Sequence, residues 1–227
     1  MEVFSARASR SITVEHEARA LFFCSDRGLV FMITDAKRLK RLIRRQTIAR
    51  VLAIDPAERR RQEDELFDLF LNLPGLESAQ TVLLYASAFA EEFDTRVYID
   101  AMIQNGRRVV CPRVDRVETR LRLFSVEDPN NDFASGVLGI PEPISSRPEI
   151  APEVIDWALI PGIAFDRNGF RLGRGAGHYD RLLPRLRPEI ERWALAFLPQ
   201  RVDSLPIEPH DQPLTGVTYP SSLTLRS

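Results

Sequence analysis

The segment RLGRGAGHYD, Arg171 to Asp180, places glycine at positions 173, 175 and 177, arginine at 171 and 174, and then an aromatic residue and a carboxylate. Glycines at alternate positions leave a backbone that another molecule can approach closely. The backbone N–H groups of such a loop can point at an anion, and a following helix N-terminus adds positive dipole. Arg171 and Arg174 would supply charge-assisted bonds to phosphate. The segment is not a P-loop, because no Gly-Lys-Ser/Thr ends it. Its G-x-G-x-G spacing also differs from the dinucleotide-binding G-x-G-x-x-G. Read alone, these residues fit a phosphate cradle and a structural glycine-rich turn equally well.

A second chemical signal lies near the N-terminus. The chain has 31 basic residues, of which only two are lysines, Lys37 and Lys40. Lysine offers a compact, rotatable ammonium that the planar guanidinium does not copy. At 100° per residue, Lys37, Lys40, Arg41 and Arg44 share a sector of about 100°, with Leu39, Leu42 and Ile43 on the other side. No acid interrupts residues 36–54. One face is therefore basic and the other is expected to pack. A solvated basic face is the bland alternative.

The elements that must position these groups alternate. A helix is expected to start at Thr34 or Asp35, one of them serving as N-cap. "DPAE" at 55–58 predicts a second helix, running to about Asn72, with an aspartate variant of the capping box and proline at N1. "TVLLYA" (81–86), "RRVVCPRV" (107–114), "TRLRLFSV" (119–126), "VIDWALIP" (154–161) and "RWALAFLP" (192–199) read as strands. Residues 94–106 read as a helix stopped by glycine, and "HYDRLLPRL" as a short helix. This pattern predicts an α/β fold: three layers, a mostly parallel sheet with helices on both faces, Rossmann-like. The glycine segment follows a buried strand, where open α/β sheets bind ligands. The proline-rich stretch 139–153 is expected to cross the surface or frame a cleft. Residues 1–34 lack a clear period and read as an N-terminal extension, poorly ordered or upstream of a true start at Met32. Residues 35–227 read as one α/β domain.

Composition excludes several classes. With 44% hydrophobic and 28% charged residues, the 227-residue chain reads as ordinary globular protein. A net charge of −1 gives no global pull toward nucleic acid or membrane. Two cysteines, Cys24 and Cys111, make neither a disulfide framework nor a zinc site. No apolar run reaches the roughly 18 residues of a membrane span. A cytoplasmic location is expected.

The longer stretch LIPGIAFDRNGFRLGRGAGHYDRLL, Leu159 to Leu183, resembles the signature of the 5-formyltetrahydrofolate cyclo-ligase family, close to P-G-x-x-F-D-x-x-G-x-R-L-G-x-G-x-G-Y-Y-D. "KRLIR" (40–44) is similar to that family's K-x-x-L-R, and "YASAFAEEFDT" (85–95) to its Y-x-S…E-x-x-T. "GIPEP" (139–143), "LAFLPQ" (195–200) and "PHD" (209–211) also recur there. The similarity spans roughly residues 36–218.

The resemblance implies an enzyme that converts 5-formyltetrahydrofolate and MgATP to 5,10-methenyltetrahydrofolate, ADP and phosphate. It implies catalytic roles for Lys40, Arg171 and Tyr179. It implies ATP binding by Lys40, Arg44, Arg171, Leu172, Gly173, Arg174, Gly175, Ala176, Gly177, His178 and Tyr179. The folate would be lined by Ala86, Glu92, Arg174, Gly175, Gly177, His178 and Tyr179, and Mg²⁺ held by Asp180 and Asp211, hard oxygen ligands that suit it. A second register, Lys37 with Arg41, lacks the leucine before arginine. No nucleic-acid or membrane partner is implied, and a monomer is expected. Two departures stand out. His178 replaces the first tyrosine of Tyr-Tyr-Asp, bringing a group that titrates near neutrality. The Tyr85–Glu92 loop is a residue longer than in some relatives. Rival readings are a non-catalytic relative, a nucleic-acid module using the basic helix, and a sugar-phosphate isomerase of similar build. The ordered motifs favour the first family over all three.

Overall fold

A computed structural model describes residues 26–221. It divides into two compact units, Met1–Leu39 and Lys40–Ser227, and everything from Lys40 onward belongs to the second. In chain order the elements are α1 (Asp26–Leu52), α2 (Pro56–Leu71), β1 (Thr81–Leu83), α3 (Arg96–Gln104), β2 (Arg108–Asp115), β3 (Arg120–Val126), β4 (Phe133–Ser135), β5 (Pro141–Pro143), β6 (Trp157–Leu159), β7 (Ala164–Phe165), β8 (Arg171–Leu172), α4 (His178–Leu182), β9 (Glu191–Leu195) and β10 (Gly216–Thr218).

Six strands form one sheet in the order β10-β9-β6-β1-β2-β3. The β1–β2, β1–β6, β6–β9 and β9–β10 pairs are parallel, and only β2–β3 is antiparallel. The fold is thus α/β with a mixed, mostly parallel sheet. Period-two alternation sorts the strands' side chains into two cores. Val82, Val109, Cys111, Trp157 and Leu159 join Leu66 and Phe70 of α2 and Tyr98, Ile99 and Met102 of α3. Leu83, Val110, Ala158, Ile160 and Ala194 join Leu182 of α4 and the following Leu183 and Leu186. In the first core, Phe70 meets Tyr98 and Trp157 edge-on, at centroid distances of 4.9 and 5.8 Å.

Several expectations change in detail. The first helix begins at Asp26, so Thr34 and Asp35 lie inside it and neither caps it. No proline lies in residues 26–33 to stop propagation toward the N-terminus. Most of the expected extension, including its start, lies outside the described residues. The packing face of α1 is also not the leucine face. Leu39 and Leu42 are exposed, while Lys40, Thr47 and Val51 are buried and Ile43 packs in part; of the basic stripe, Lys40 and Arg44 turn inward and Lys37 and Arg41 stay exposed. At the next helix, Asp55 does cap, its Oδ1 accepting from the N–H groups of Ala57 (2.9 Å) and Glu58 (3.3 Å). The reciprocal half of the box is missing: Glu58 accepts instead from Arg61 and Gln62. The strands at 81–86, 154–161 and 192–199 are shorter than read: Tyr85, Ala86 and Pro161 leave the ladder to line the cleft, while Val154 and Leu198 fall in short 3₁₀ turns.

Candidate active site

The glycine segment is held out by a hairpin. Asp166 organises its turn, with Oδ1 accepting from Asn168 N (2.9 Å) and Phe170 N (3.0 Å). Gly169, at φ +81°, allows the reversal. Strands β7 and β8 pair antiparallel on either side, Phe165 opposite Arg171. Arg171 therefore leaves a rigid strand, and the loop 173–177 follows it directly.

The three glycines serve different needs. Gly175 (φ +106°) and Gly177 (φ +66°) hold backbone conformations that L side chains rarely adopt. Gly173 does not; a methyl there would lie 3.3 Å from Arg171 Nη1. Arg44 reaches across from α1, its Nε donating to Gly173 O at 2.7 Å. Burial lowers the pKa of Arg44, and the nearby Glu208 carboxylate opposes that shift.

A second loop faces the first. It follows β1 and is closed by a reciprocal pair, Ser87 N to Thr95 Oγ1 (2.8 Å) and Thr95 N to Ser87 Oγ (3.1 Å). Glu92 Oε2 accepts from the N–H groups of Ala88 (2.9 Å) and Phe89 (3.2 Å). Its Oε1 accepts from Arg174 Nη2 at 3.1 Å, and Glu91 Oε1 from the same nitrogen at 2.9 Å. The guanidinium carbon of Arg174 sits 3.3 Å from the centroid of Phe89, a cation–π contact. One guanidinium nitrogen serves both carboxylates while the plane lies on the ring, a combination an ammonium does not offer.

The remaining groups close the cleft. Arg171 Nη2 donates to Asp180 Oδ1 at 2.6 Å, and its guanidinium lies 5.6 Å from the Tyr179 ring centroid. Burial raises the Tyr179 phenol above its usual range, with Arg171 opposing. Lys40 Nζ donates to Glu208 Oε2 at 2.6 Å and to Asp211 Oδ2 at 3.2 Å. His178 Nδ1 lies 3.2 Å from Arg181 Nη2, which also donates to Thr119 O and Ala176 O. Burial, and then the Arg181 charge, lower the His178 pKa below 6.5.

All these loops line a single cleft of about 270 Å³. Every residue named above as catalytic, nucleotide-binding, folate-lining or metal-binding lies in its wall, including Ala86, Leu172 and Ala176. Of the second register, Arg41 is exposed and absent from the wall; Lys37, in the other unit, is also exposed. The proline-rich stretch does frame the cleft, through Ile140, Pro141 and Glu142. Glu208, Phe89 and Pro112 line it as well, and Glu91 and Arg181 brace it, although the sequence reading singled out none of them. Phe89 and Glu91 sat inside a quoted motif; Glu208 stood one residue outside another.

Among the described residues, no cluster of three or more His, Cys, Asp or Glu side chains is placed to hold a metal ion by protein ligands alone. None of their helices is long and apolar enough to cross a membrane.

An anion-ready loop on a β-hairpin, opposed cations, and carboxylates on the facing loop that follows parallel strand β1 make this an α/β enzyme site. Comparison with known proteins gives it a family. The 5-formyltetrahydrofolate cyclo-ligase family model matches residues 36–220. The 5-formyltetrahydrofolate cyclo-ligase of Escherichia coli is 30% identical over 173 residues, 75% of this chain and 94% of that one. The mitochondrial 5-formyltetrahydrofolate cyclo-ligase of Arabidopsis thaliana is 28% identical over 208 residues, 81% of this chain and 75% of that one. The solution structure of Aquifex aeolicus 5,10-methenyltetrahydrofolate synthetase superposes with a TM-score of 0.69 at 28% identity, covering 80% of this chain and 89% of that one. The Mycoplasma pneumoniae 5,10-methenyltetrahydrofolate synthetase, at 23% identity and a TM-score of 0.62, covering 78% of this chain and 96% of that one, adds support for the fold alone. The chain belongs to the 5-formyltetrahydrofolate cyclo-ligase family. Its activity is that family's, the conversion of 5-formyltetrahydrofolate to 5,10-methenyltetrahydrofolate.

Proposed function

We propose that the cleft carries out this conversion by binding 5-formyltetrahydrofolate and MgATP side by side, with release of ADP and phosphate. The observation that carries the reading is the single wall shared by three separate segments: Lys40 and Arg44 on α1, the loop 171–180, and the loop carrying Ala86 and Glu92. An N-formyl oxygen is a poor leaving group. Transfer of the γ-phosphoryl group to that oxygen activates it, N10 then attacks the formyl carbon, and phosphate leaves with the oxygen as the ring closes. Such a transfer asks the protein chiefly for positioning and charge neutralisation.

In this reading Lys40, Arg44, Arg171 and Arg174 neutralise the phosphates, and Leu172, Ala176 and the glycines present backbone to them. Ala86, Glu92, His178 and Tyr179 line the folate. Mg²⁺ fits the donors at hand. Asp180 keeps Oδ2, and Asp211 keeps Oδ1, free of hydrogen bonds among the described residues. Magnesium commonly takes one or two carboxylates and completes its shell with water and phosphate oxygens. Asp180 and Asp211 would hold the ion, which supplies charge neutralisation at the phosphates.

The finer architecture is read as three-layer and Rossmann-like, supported by the two cores on alternate strand residues. A monomer in the cytoplasm completes the proposal; one chain supplies the whole wall, and sedimentation and fractionation test these points. The decisive experiment follows the methenyl-folate absorbance with purified protein, 5-formyltetrahydrofolate and Mg²⁺, with and without ATP. A rise that depends on ATP is expected. ATP binding without any rise would point to a non-catalytic relative, and neither would reduce the glycine segment to a turn.

A further inference from the structure

Lys40 is one of only two lysines in the chain, and it is 9% exposed. An ammonium so enclosed calls for close counter-charges. Two carboxylates supply them, from a segment more than 160 positions away: Glu208 Oε2 at 2.6 Å and Asp211 Oδ2 at 3.2 Å. The two are not equivalent. Asp211 Oδ2 also accepts from Glu208 N at 2.8 Å, so the loop backbone fixes it. The Glu208 side chain has Lys40 as its hydrogen-bond partner among the described residues, at the shorter distance. Lys40 in turn draws the Glu208 carboxyl below its ordinary range.

An ammonium has three N–H donors and no acceptor. With two of them held by carboxylates on the 208–211 turn, the third has a defined direction. Both carboxylates and Lys40 line the same cleft as Arg171 and the glycine loop. We infer that Glu208 is a positioning residue for the reaction: it fixes the Lys40 ammonium so that its remaining N–H meets the transferring phosphoryl group. This rests on the reading of Lys40 as a phosphate ligand. It adds a residue that the signature motifs do not contain.

The contribution belongs to the transition state, where orientation matters most. Glu208 is also a negative charge beside an anion site, so removing it does not weaken ground-state attraction for ATP. The expected result for Glu208→Ala is therefore a split: kcat falls about tenfold, while the ATP Kd by calorimetry stays within about twofold of wild type or tightens. Glu208→Gln keeps an oxygen in reach of the ammonium and is expected to recover most of kcat.

The experiment compares Glu208→Ala, Glu208→Gln, Lys40→Ala and the Lys40→Ala/Glu208→Ala double variant. A double variant no slower than Lys40→Ala alone places Glu208 upstream of Lys40. If Lys40→Ala changes neither kcat nor ATP Kd, the phosphate role of Lys40 fails, and this inference with it. If Lys40→Ala is impaired but Glu208→Ala keeps wild-type kcat, the inference about Glu208 alone is overturned. It is also overturned if Glu208→Ala tightens ATP at unchanged kcat, the mark of simple repulsion, or if Glu208→Gln is as slow as Glu208→Ala.

Discussion

Arg171 Nη2 lies 2.6 Å from Asp180 Oδ1, with the arginine side chain 4% exposed and the aspartate 21%. The carboxylate proposed for the metal is thus also the counter-charge of an enclosed guanidinium, whose Nε has no hydrogen-bond partner among the described residues. Removing the partner of such a cation leaves its charge uncompensated, at a loss on the order of 3 kcal/mol. Asp180→Ala is expected to unfold at clearly lower urea, whereas Asp180→Asn, which retains an acceptor, loses less. Both are expected to lose turnover. Equilibrium unfolding separates the two roles: a wild-type midpoint for Asp180→Ala would leave the pair no part in stability.

The glycine loop makes a different kind of prediction, because its glycines differ in backbone. Gly177→Ala places a Cβ at φ +66° and 3.0 Å from Arg181 Nη1, at about 1–2 kcal/mol for the left-handed conformation. Gly173→Ala meets no such backbone penalty and is expected to stay within about 0.5 kcal/mol of wild type. Its methyl group stands instead where the backbone is open to phosphate, and ATP binding should weaken about tenfold. Urea unfolding and calorimetric ATP titration of the two variants should rank them in opposite orders. The same order in both would mean the loop acts only as a turn.

These cases show what a linear sequence can carry. The loop 171–180 was legible because its residue types and spacing are local, as was the strand–helix alternation. Lys40 and Arg44 were legible because one helix turn separates them. The pairs that orient the site were not. Lys40 with Glu208, and Arg174 with Glu91, join segments far apart in the chain, and only the packed sheet brings them together. The inward face of α1 was misread for the same reason. A basic stripe ordinarily faces water; here Lys37 and Arg41 are exposed, but Lys40 and Arg44 line a cleft, and Leu39 and Leu42 are left exposed. Apolar residues continue past the last ladder bond, into the cleft wall at Tyr85 and Ala86 and into the core at Ala196 and Phe197, so the strand ends read too long.

Arg174 joins the two substrate-facing loops, bonding Glu91 and Glu92 through one nitrogen while its plane lies against Phe89. Lysine carries the same charge but has neither the fork nor the plane. Arg174→Lys is therefore expected to raise the KM for 5-formyltetrahydrofolate about tenfold, with a smaller change in the KM for ATP. Steady-state kinetics with each substrate varied in turn checks this. An increase confined to the KM for ATP would show that Arg174 serves the phosphates alone.

His178 offers a pH signature, with a sign that follows from its surroundings. Burial first, and then the positive charge of Arg181, disfavour the imidazolium, against weaker opposing pulls from the Thr119 backbone and Glu142. Its folded pKa therefore lies below 6.5. Above that pH the side chain is neutral in both folded and unfolded chains and contributes no slope. As pH falls through 6.5 the unfolded chain takes up a proton that the native state resists, so stability declines. The decline ends once pH passes below the folded pKa, where both states are protonated. His178→Tyr, which restores the family residue, is expected to flatten the stability curve as pH falls below 6.5. Urea midpoints measured from pH 7 downward provide the test. An unchanged slope in the variant would show that His178 is as free to protonate in the cleft as in the unfolded chain.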